Sequence, residues 1–228
     1  MSRTTRAASL DDASPFRYVG GDPALDLVNT VDWTSAGPRR DRLSSYDRLA
    51  AWAEGAGIVS PAEADRLRHQ AAAGPAKAAE ALADARRTRT ILRDAFREIA
   101  LGDGVGTGLA GLNDLLAGTL RRLRLKTSGA GAAYTWDGWG EDPSCLLWPV
   151  IYSGANLLTS EEAVRIGVCP GEGCGWMFVD RSRNGMRKWC EMATCGTTAK
   201  NRRRQRRARA APSPDRDREG REGGSGRG

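Results

Sequence analysis

The sequence predicts an α+β protein in which a mainly helical N-terminal domain with one small β-hairpin precedes a small C-terminal module built around four cysteines. Three observations support this fold class. Apolar residues recur at helical spacing over much of residues 45–120, which predicts amphipathic helices. They alternate with polar residues on both sides of a glycine-rich turn near residue 130, which predicts the hairpin. Four of the five cysteines fall between residues 169 and 195, in a segment too short to fold on a core of its own.

Capping signals mark the helices of the N-terminal domain. Residues 45–56 carry apolar side chains at helical spacing and lead into glycines that can end a helix. The run Ser60-Pro61-Ala62-Glu63 is a capping box with proline at the first helical position, and it predicts a helix to about Ala72. After Gly74-Pro75, one apolar face continues until Gly102, which predicts the longest helix of the chain.

The rest of the N-terminal domain is predicted from local patterns. Residues 102–111 indicate a flexible loop rather than a phosphate cradle, because a helix precedes these glycines where a dinucleotide-binding loop needs a strand. Cys145 stands alone among apolar residues and is expected to be a core thiol. The other predicted elements are a strand, a turn and a helix start over 18–30, a helix over 109–120, a hairpin over 123–136, and a helix over 145–158 capped by Ser144.

Charge is distributed unevenly along the chain. The formal net charge is +7, yet residues 181–210 hold eleven Lys or Arg and one acidic residue, whereas residues 1–180 carry a small negative excess. No apolar run approaches the roughly 18 residues of a membrane span, and no secretory signal is visible, so a cytoplasmic protein without membrane contact is expected. The predicted units are a disordered leader (1–15), a helical domain (16–163), a cysteine module (164–210) and a disordered tail (211–228).

The four clustered cysteines have the pattern of a metal site. Cys169 and Cys174 form one pair, Cys190 and Cys195 form another, and each pair has four residues between its members. Four thiolates complete a tetrahedral shell around one zinc ion, and a shell without a water position is structural rather than catalytic. Four buried or redox-active thiols are the alternative. Between the pairs, the strand-like run Trp176–Asp180 is followed by Asn184-Gly185, a hairpin turn signal. The predicted order is therefore knuckle, hairpin, second pair and helix, as in a treble clef.

A dense basic run follows the last cysteine and indicates a polyanionic partner. Arginines held close together repel one another, and a nucleic acid would neutralise them with release of counterions. The alternative is a solvated tail. Basic residues beside the predicted hairpin turn would enlarge the same face. The candidate nucleic-acid contacts are Arg181, Arg183, Arg187, Lys188, Lys200, Arg202, Arg203, Arg204, Arg206 and Arg207.

Both halves of the chain resemble the bacterial CGNR zinc-finger family with its N-terminal ABATE domain, a family of stress-induced transcription regulators. One motif departs from the family, because Thr197-Thr198 stand where the name-giving pattern continues Asn-Arg. The resemblance implies a zinc finger that binds DNA. It rests on Cys169-Pro170, on the runs 174–184 and 187–190, on Met192, Cys195-Gly196 and Ala199-Lys200, and in the N-terminal part on Gly20-Gly21, Leu25–Thr30 and Leu157–Ser160.

Three function classes stay open at this point. They are a DNA-binding regulator, an RNA-binding protein, and a protein-interaction module whose basic tail is incidental. The basic run lacks the aromatic platform of single-stranded RNA readers, which favours duplex DNA. An enzyme is not expected, since the single histidine, His69, has no serine or cysteine motif nearby.

The N-terminal domain offers a weaker second candidate site. Asp26 and Asn29 would line a polar pocket for a small-molecule or protein effector that adjusts DNA affinity, or they would cap a helix and hold a turn, which is the favoured interpretation. A homodimer would suit a regulator that reads a palindrome.

Overall fold

A computed structural model of the chain describes residues 16–34, 37–103 and 106–210. The predicted leader (1–15) and tail (211–228) lie outside the described residues. The helices are α1 (Pro23–Val28), α2 (Tyr46–Gly55), α3 (Pro61–Ala73), α4 (Pro75–Leu101), α5 (Thr107–Leu120), α6 (Trp148–Thr159) and α7 (Thr197–Ala210). The strands are β1 (Val31–Thr34), β2 (Gly37–Asp41), β3 (Leu123–Ser128), β4 (Gly131–Trp136), β5 (Ile166–Val168) and β6 (Met177–Val179), paired antiparallel in three two-stranded sheets. The α+β prediction, with a mainly helical N-terminal part, is confirmed.

Local signals decide most helix boundaries. The Ser60 hydroxyl accepts a hydrogen bond from the backbone N–H of Glu63, and the Glu63 carboxylate accepts one from the N–H of Ser60, so the predicted capping box begins α3. The longest helix, α4, ends at Gly102, whose φ of 78° is the left-handed conformation that glycine adopts without strain. The hairpin β3–β4 forms where predicted, with Leu123 opposite Trp136.

Two predicted boundaries were wrong. Among the described residues no strand precedes α1, and Asp22 caps that helix by accepting from the N–H of Ala24. The helix predicted from Cys145 is first a 3₁₀ turn over Pro143–Leu147 that Asp142 caps, and α6 starts only at Trp148. Pro149 explains that break, since it has no N–H to continue an α-helical ladder.

The predicted loop over 102–111 is also shorter than expected. Helix α5 starts at Thr107, so Gly108 and Gly111 lie inside a helix rather than in a loop. A Cβ atom at Gly108 would lie 2.5 Å from the backbone nitrogen of Ala95 in α4. Glycine at this position therefore allows α5 to pack closely against α4.

One hydrophobic core joins the helical body to the C-terminal hairpin. Leu25 and Leu27 of α1 are fully buried among α4 and α6, which contribute Leu92, Phe96 and Val150. The β5–β6 hairpin adds Ile166, Met177 and Val179 to the same core. The C-terminal module therefore packs on the body through apolar contacts. Among the described residues, no helix combines the length and apolarity that crossing a bilayer requires.

Buried polar contacts tie the short sheet β1–β2 to the body. The guanidinium of Arg89 on α4 is 5% exposed and donates to both carboxylate oxygens of Asp41 at 2.7 Å and to the Thr30 hydroxyl. A bidentate pair of this kind fixes geometry as well as charge. This sheet was not predicted, because β2 is polar and shows no strand pattern.

Candidate zinc centre and nucleic-acid interface

The four cysteine sulfurs meet at one point. Their Sγ atoms all lie within 4.8 Å of one another, with 3.6 Å between Cys174 and Cys190 and 3.7 Å between Cys190 and Cys195. A tetrahedron of sulfurs around zinc, with bonds of about 2.3 Å, requires separations of roughly 3.8 Å. Disulfide sulfurs are only about 2 Å apart, and all five cysteines are free thiols. Cys169, Cys174, Cys190 and Cys195 therefore form the site of one structural zinc ion.

The electrostatics of the cluster call for a cation. Hydrogen bonds from the Cys174 and Cys190 thiols lower the pKa of Cys169 to about 2, so one thiolate is shared among its neighbours. The hydrogen bond to Cys169 in turn raises the pKa of Cys174 to about 12, and hydrogen bonds to Cys169 and Cys174 raise that of Cys190 far above its ordinary value. Zinc would balance the charge and let all four sulfurs bind as thiolates.

The first cysteine pair lies in the connection between β5 and β6. The N–H of Cys169 donates to the Trp176 carbonyl at 2.7 Å, which closes the hairpin, and the N–H of Cys174 donates to the Gly171 carbonyl in a tight turn. Gly175 has a φ of 61°, and a Cβ atom there would overlap the carbonyl group of Trp33. Glycine at this position is required both by the left-handed backbone and by the close approach of β1.

The prediction of a β-hairpin that turns at Asn184-Gly185 was wrong. Gly185 does lie in a turn, with a φ of 61°, but among the described residues no strand follows it and β6 pairs with β5 instead. Val179 lies opposite Ile166, so the partner strand precedes the first cysteine. The knuckle is therefore inside the hairpin, rather than before it.

The second cysteine pair connects the module to the basic helix. Cys190 is buried, a wide helical turn over Met192–Gly196 carries Cys195, and α7 follows at Thr197. Because α7 begins two residues after a zinc ligand, the metal site fixes where this helix starts. Every residue of α7 from Lys200 to its end is exposed.

Nine of the ten predicted basic contacts divide into three groups. Arg203, Arg204, Arg206, Arg207 and Lys200 lie on α7 and extend into solvent, whereas Arg202 on the same helix forms an ion pair with Glu172 of the knuckle. Arg183 and Lys188 are exposed on the turn that follows β6. Arg181 forms a two-pronged ion pair with Glu162 at 2.6 and 2.7 Å and also donates to the Gly21 carbonyl.

Arg187 has a structural position that the sequence did not reveal. Its guanidinium lies 4.3 Å over the ring of Phe178 and donates to the carbonyls of Val19, Val179, Trp189 and Cys190. All four hydrogen-bond acceptors are backbone oxygens of the protein. The residue therefore joins the module to the segment before α1.

Asp26 and Asn29 both form hydrogen bonds to backbone groups in the interior of the protein. Both are buried, and Asp26 accepts a hydrogen bond from the N–H of Gly20 at 2.8 Å. Asn29 pairs with the backbone of Met177 on β6. The interpretation that they hold a helix and a turn agrees with these contacts.

The contacts of two tryptophans that attach the knuckle to β1 were not predicted from the sequence. The indole N–H of Trp176 donates to the Val31 carbonyl at 3.1 Å, and the backbone N–H of Trp33 donates to the Cys174 carbonyl at 3.0 Å. Arg42 lies 5.1 Å over the Trp176 ring and binds both carboxylate oxygens of Asp32. The tryptophans were visible in the sequence, but nothing local identified their partners.

Comparison with known families matches nearly the whole described chain. Residues 21–161 match the ABATE model, described as "Putative stress-induced transcription regulator", and residues 165–208 match the CGNR zinc finger. No curated protein gives a significant match. Because the first match spans more than half of the chain and the second covers the four zinc ligands, the chain belongs to the ABATE family and carries a CGNR zinc finger at its C-terminal end.

Proposed function

We propose that this protein is a zinc-dependent transcription regulator that binds duplex DNA through α7, acts in the cytoplasm and is not an enzyme. The observation that carries the proposal is α7 itself. Its 14 residues include seven Lys or Arg, no acidic residue and no buried residue. Such a helix packs no side chain into a hydrophobic core and concentrates positive charge. It is stabilised when a polyanion neutralises that charge.

The geometry of α7 suits a DNA groove. A helix of 14 residues is about 21 Å long, and the major groove of B-DNA admits an α-helix. At 100° per residue, one side of α7 carries Lys200, Arg203, Arg204 and Arg207, and the other side carries Arg202, Arg206 and Arg209. Phosphates on both walls of a groove would find arginines on both sides of the helix.

The choice of duplex DNA over single-stranded RNA rests on side-chain chemistry. Readers of single-stranded nucleic acid stack bases on aromatic rings, and α7 has no aromatic residue. Arginine and lysine side chains can bind phosphates while the bases remain paired and stacked in the duplex. RNA binding and a protein partner are the outcomes that the experiment below separates from DNA binding.

The non-enzyme proposal rests on the chemistry of the candidate nucleophiles. His69 is exposed on α3 and its ring contacts the Asp65 carbonyl. Burial raises the pKa of Cys145 to about 11, so this thiol is not ionised at neutral pH. The other four cysteines are zinc ligands.

The N-terminal domain is proposed to adjust DNA binding through its contacts with the zinc hairpin. Asn29, which caps the end of α1, is hydrogen-bonded to Met177 of the module. Strand β1 is hydrogen-bonded to Trp176 and Cys174. An effector or protein partner that shifts α1 would shift the hairpin that carries the ligands. A homodimer, with one α7 in each half-site of a palindrome, fits the same scheme.

Titration of zinc-quantified protein with duplex DNA at several salt concentrations tests the proposal. The fourfold variant Arg203→Gln, Arg204→Gln, Arg206→Gln, Arg207→Gln keeps good helix formers and removes charge. If these side chains contact phosphates, affinity falls and the slope of log K against log salt becomes shallower by about 3 to 4.

A matched variant controls for total charge. Arg66, Lys77, Arg97 and Arg121 are exposed on the body, and their replacement by glutamine removes the same charge elsewhere. We expect the salt slope of this variant to stay at its original value. Equal weakening by both variants, or tighter binding to single-stranded RNA than to duplex DNA, would contradict the proposal.

A further inference from the structure

A short turn beside the zinc site presents a bare apolar side chain. The turn, here the 182–188 loop, follows β6 and ends just before Cys190. Met186 is 75% exposed in it, and the neighbouring Arg183, Asn184 and Lys188 are exposed as well. Single exposed apolar residues are common on proteins. The way this loop is held sets Met186 apart.

One buried carboxylate holds both ends of the loop. Asp180 is 7% exposed, and its Oδ1 accepts from the N–H and the hydroxyl of Ser182 at 2.8 and 2.5 Å. Its Oδ2 accepts from the N–H of Arg187 at 2.7 Å. The Ser182 hydroxyl also accepts from the N–H of Met186 at 3.2 Å. The backbone that carries Met186 is thus fixed at three points.

The base of the loop is fixed as firmly as its tip. The Arg187 side chain turns inward, where it donates to four backbone carbonyls and stacks on Phe178. These hydrogen bonds hold the backbone on both sides of Met186 at the protein surface. A rigid mount of this kind lowers the entropy cost of inserting a side chain into a partner.

The loop shares a surface groove with the segment that leads into the basic helix. Met186, Lys188 and Met192, which is 55% exposed, line a surface groove of about 800 Å³. Met192 begins the turn that carries Cys195 and leads into α7. The zinc ligands Cys190 and Cys195 therefore set the spacing between the loop and the helix.

Resting on the proposed DNA binding, we infer that Met186 is an apolar wedge that inserts between two base pairs from the minor groove and kinks the duplex held by α7. Methionine is among the side chains that unstack a base step in this way, and the kink lets more protein surface meet the DNA. The cations Arg183 and Lys188 stand beside the wedge, where phosphates flank the groove.

Pre-kinked DNA tests the wedge without knowledge of a target sequence. Binding is compared on two 20-base-pair duplexes that differ only in a two-nucleotide bulge. A wedge must unstack linear DNA but finds the bulged step already open, so we expect wild type to prefer the bulged duplex by roughly tenfold. Met186→Ser should reduce this preference to near one, and Met186→Leu should retain it. A zinc content of one per chain verifies that each variant is folded.

The α7 variant separates failure of the wedge from failure of DNA binding. Removal of the four arginines should weaken binding to both duplexes and leave the preference for the bulge intact. Equal affinity of the wild type for bulged and linear DNA, or an unchanged preference in Met186→Ser, overturns the wedge while the proposed function stands. Absence of binding to either duplex removes both.

Discussion

Asn29 forms a two-pronged pair with the backbone of Met177, although the two residues are 148 positions apart in the chain. Its amide Nδ2 donates to the Met177 carbonyl at 2.8 Å, and its Oδ1 accepts from the Met177 N–H at 2.8 Å. Asn29 thus supplies, for one residue, the bonds that a third strand would make with the edge of β6. Gly20 extends this cover, since its carbonyl accepts from the N–H of Val179.

Asn29→Asp should destabilise the whole protein. The carboxylate can still accept from the Met177 N–H, but it cannot donate to the carbonyl, and it places a charge where Asn29 is 2% exposed. A buried carbonyl without its donor costs about 2 to 3 kcal/mol, and the charge adds to that. Urea unfolding measures the loss. Asn113→Asp, on an exposed face of α5, is the matched control and should change stability by less than about 0.5 kcal/mol.

Gly175→Ala should disrupt the zinc knuckle, because two penalties act at the same atom. The first is a left-handed φ of 61°, and the second is overlap of the new methyl group with Trp33. Gly57 has a similar φ of 71° with no atom within 4 Å of the added Cβ, so Gly57→Ala measures the first penalty alone. We expect about 1 to 2 kcal/mol of destabilisation for Gly57→Ala and more than about 3 kcal/mol, with weakened zinc retention, for Gly175→Ala. A similar loss of stability in the two variants would contradict this expectation, because it would show that β1 moves to accommodate the methyl group.

Cys190→Ser should abolish stoichiometric zinc and, with it, salt-dependent DNA binding, since α7 starts from the second cysteine pair. The helices of the body should persist, because their core around Leu92 and Phe96 does not involve the sulfurs. Thermal stability should still fall, since β5–β6 packs on that core. Zinc quantification, circular dichroism and the DNA titration report the three effects. Cys145→Ala, which removes a thiol outside the cluster, should retain one zinc per chain.

The elements that the sequence predicted well are those that neighbouring residues determine. The capping box at Ser60, the stop at Gly102 and the alternation around the β3–β4 turn act within a few residues, so each is visible in a short window. The four zinc ligands were predictable for a related reason, because the site gathers its sulfurs from one short segment. Spacing alone then identifies the chemistry.

The features that the sequence did not reveal depend on distant partners. The polar strand β2 exists because β1 pairs with it and Arg89 of α4 binds Asp41. Strand β6 pairs with residues before the first cysteine, so the strong turn signal at Gly185 led to the wrong partner. The side chain of Arg187 donates to the carbonyl of Val19, which is 168 positions away in the chain. No local pattern encodes these choices.

Asp26 gives the body a pH-dependent stability that can be measured directly. Burial raises the pKa of Asp26 to about 6 from an ordinary value of 3.8, with a smaller contribution from the nearby Asp22, although a hydrogen bond from the Gly20 N–H opposes the rise. The folded state therefore binds the Asp26 proton more tightly than the unfolded state does. Its ionisation costs no stability at pH values below the unfolded pKa, and the cost grows as pH rises through about 6.

Asp26→Asn should accordingly remove a free-energy cost that develops in the wild type between pH 3.8 and about 6 and is complete above that pH. The amide keeps an oxygen for the Gly20 N–H but carries no charge to desolvate. The free energy of unfolding of the variant, relative to wild type, should rise by about 1 to 3 kcal/mol between pH 4 and pH 7. Urea unfolding of both proteins at pH 4, 5, 6 and 7 gives this difference and cancels the titration of every other group. A difference that stays constant across that range would mean that Asp26 ionises as easily in the folded protein as in the unfolded chain.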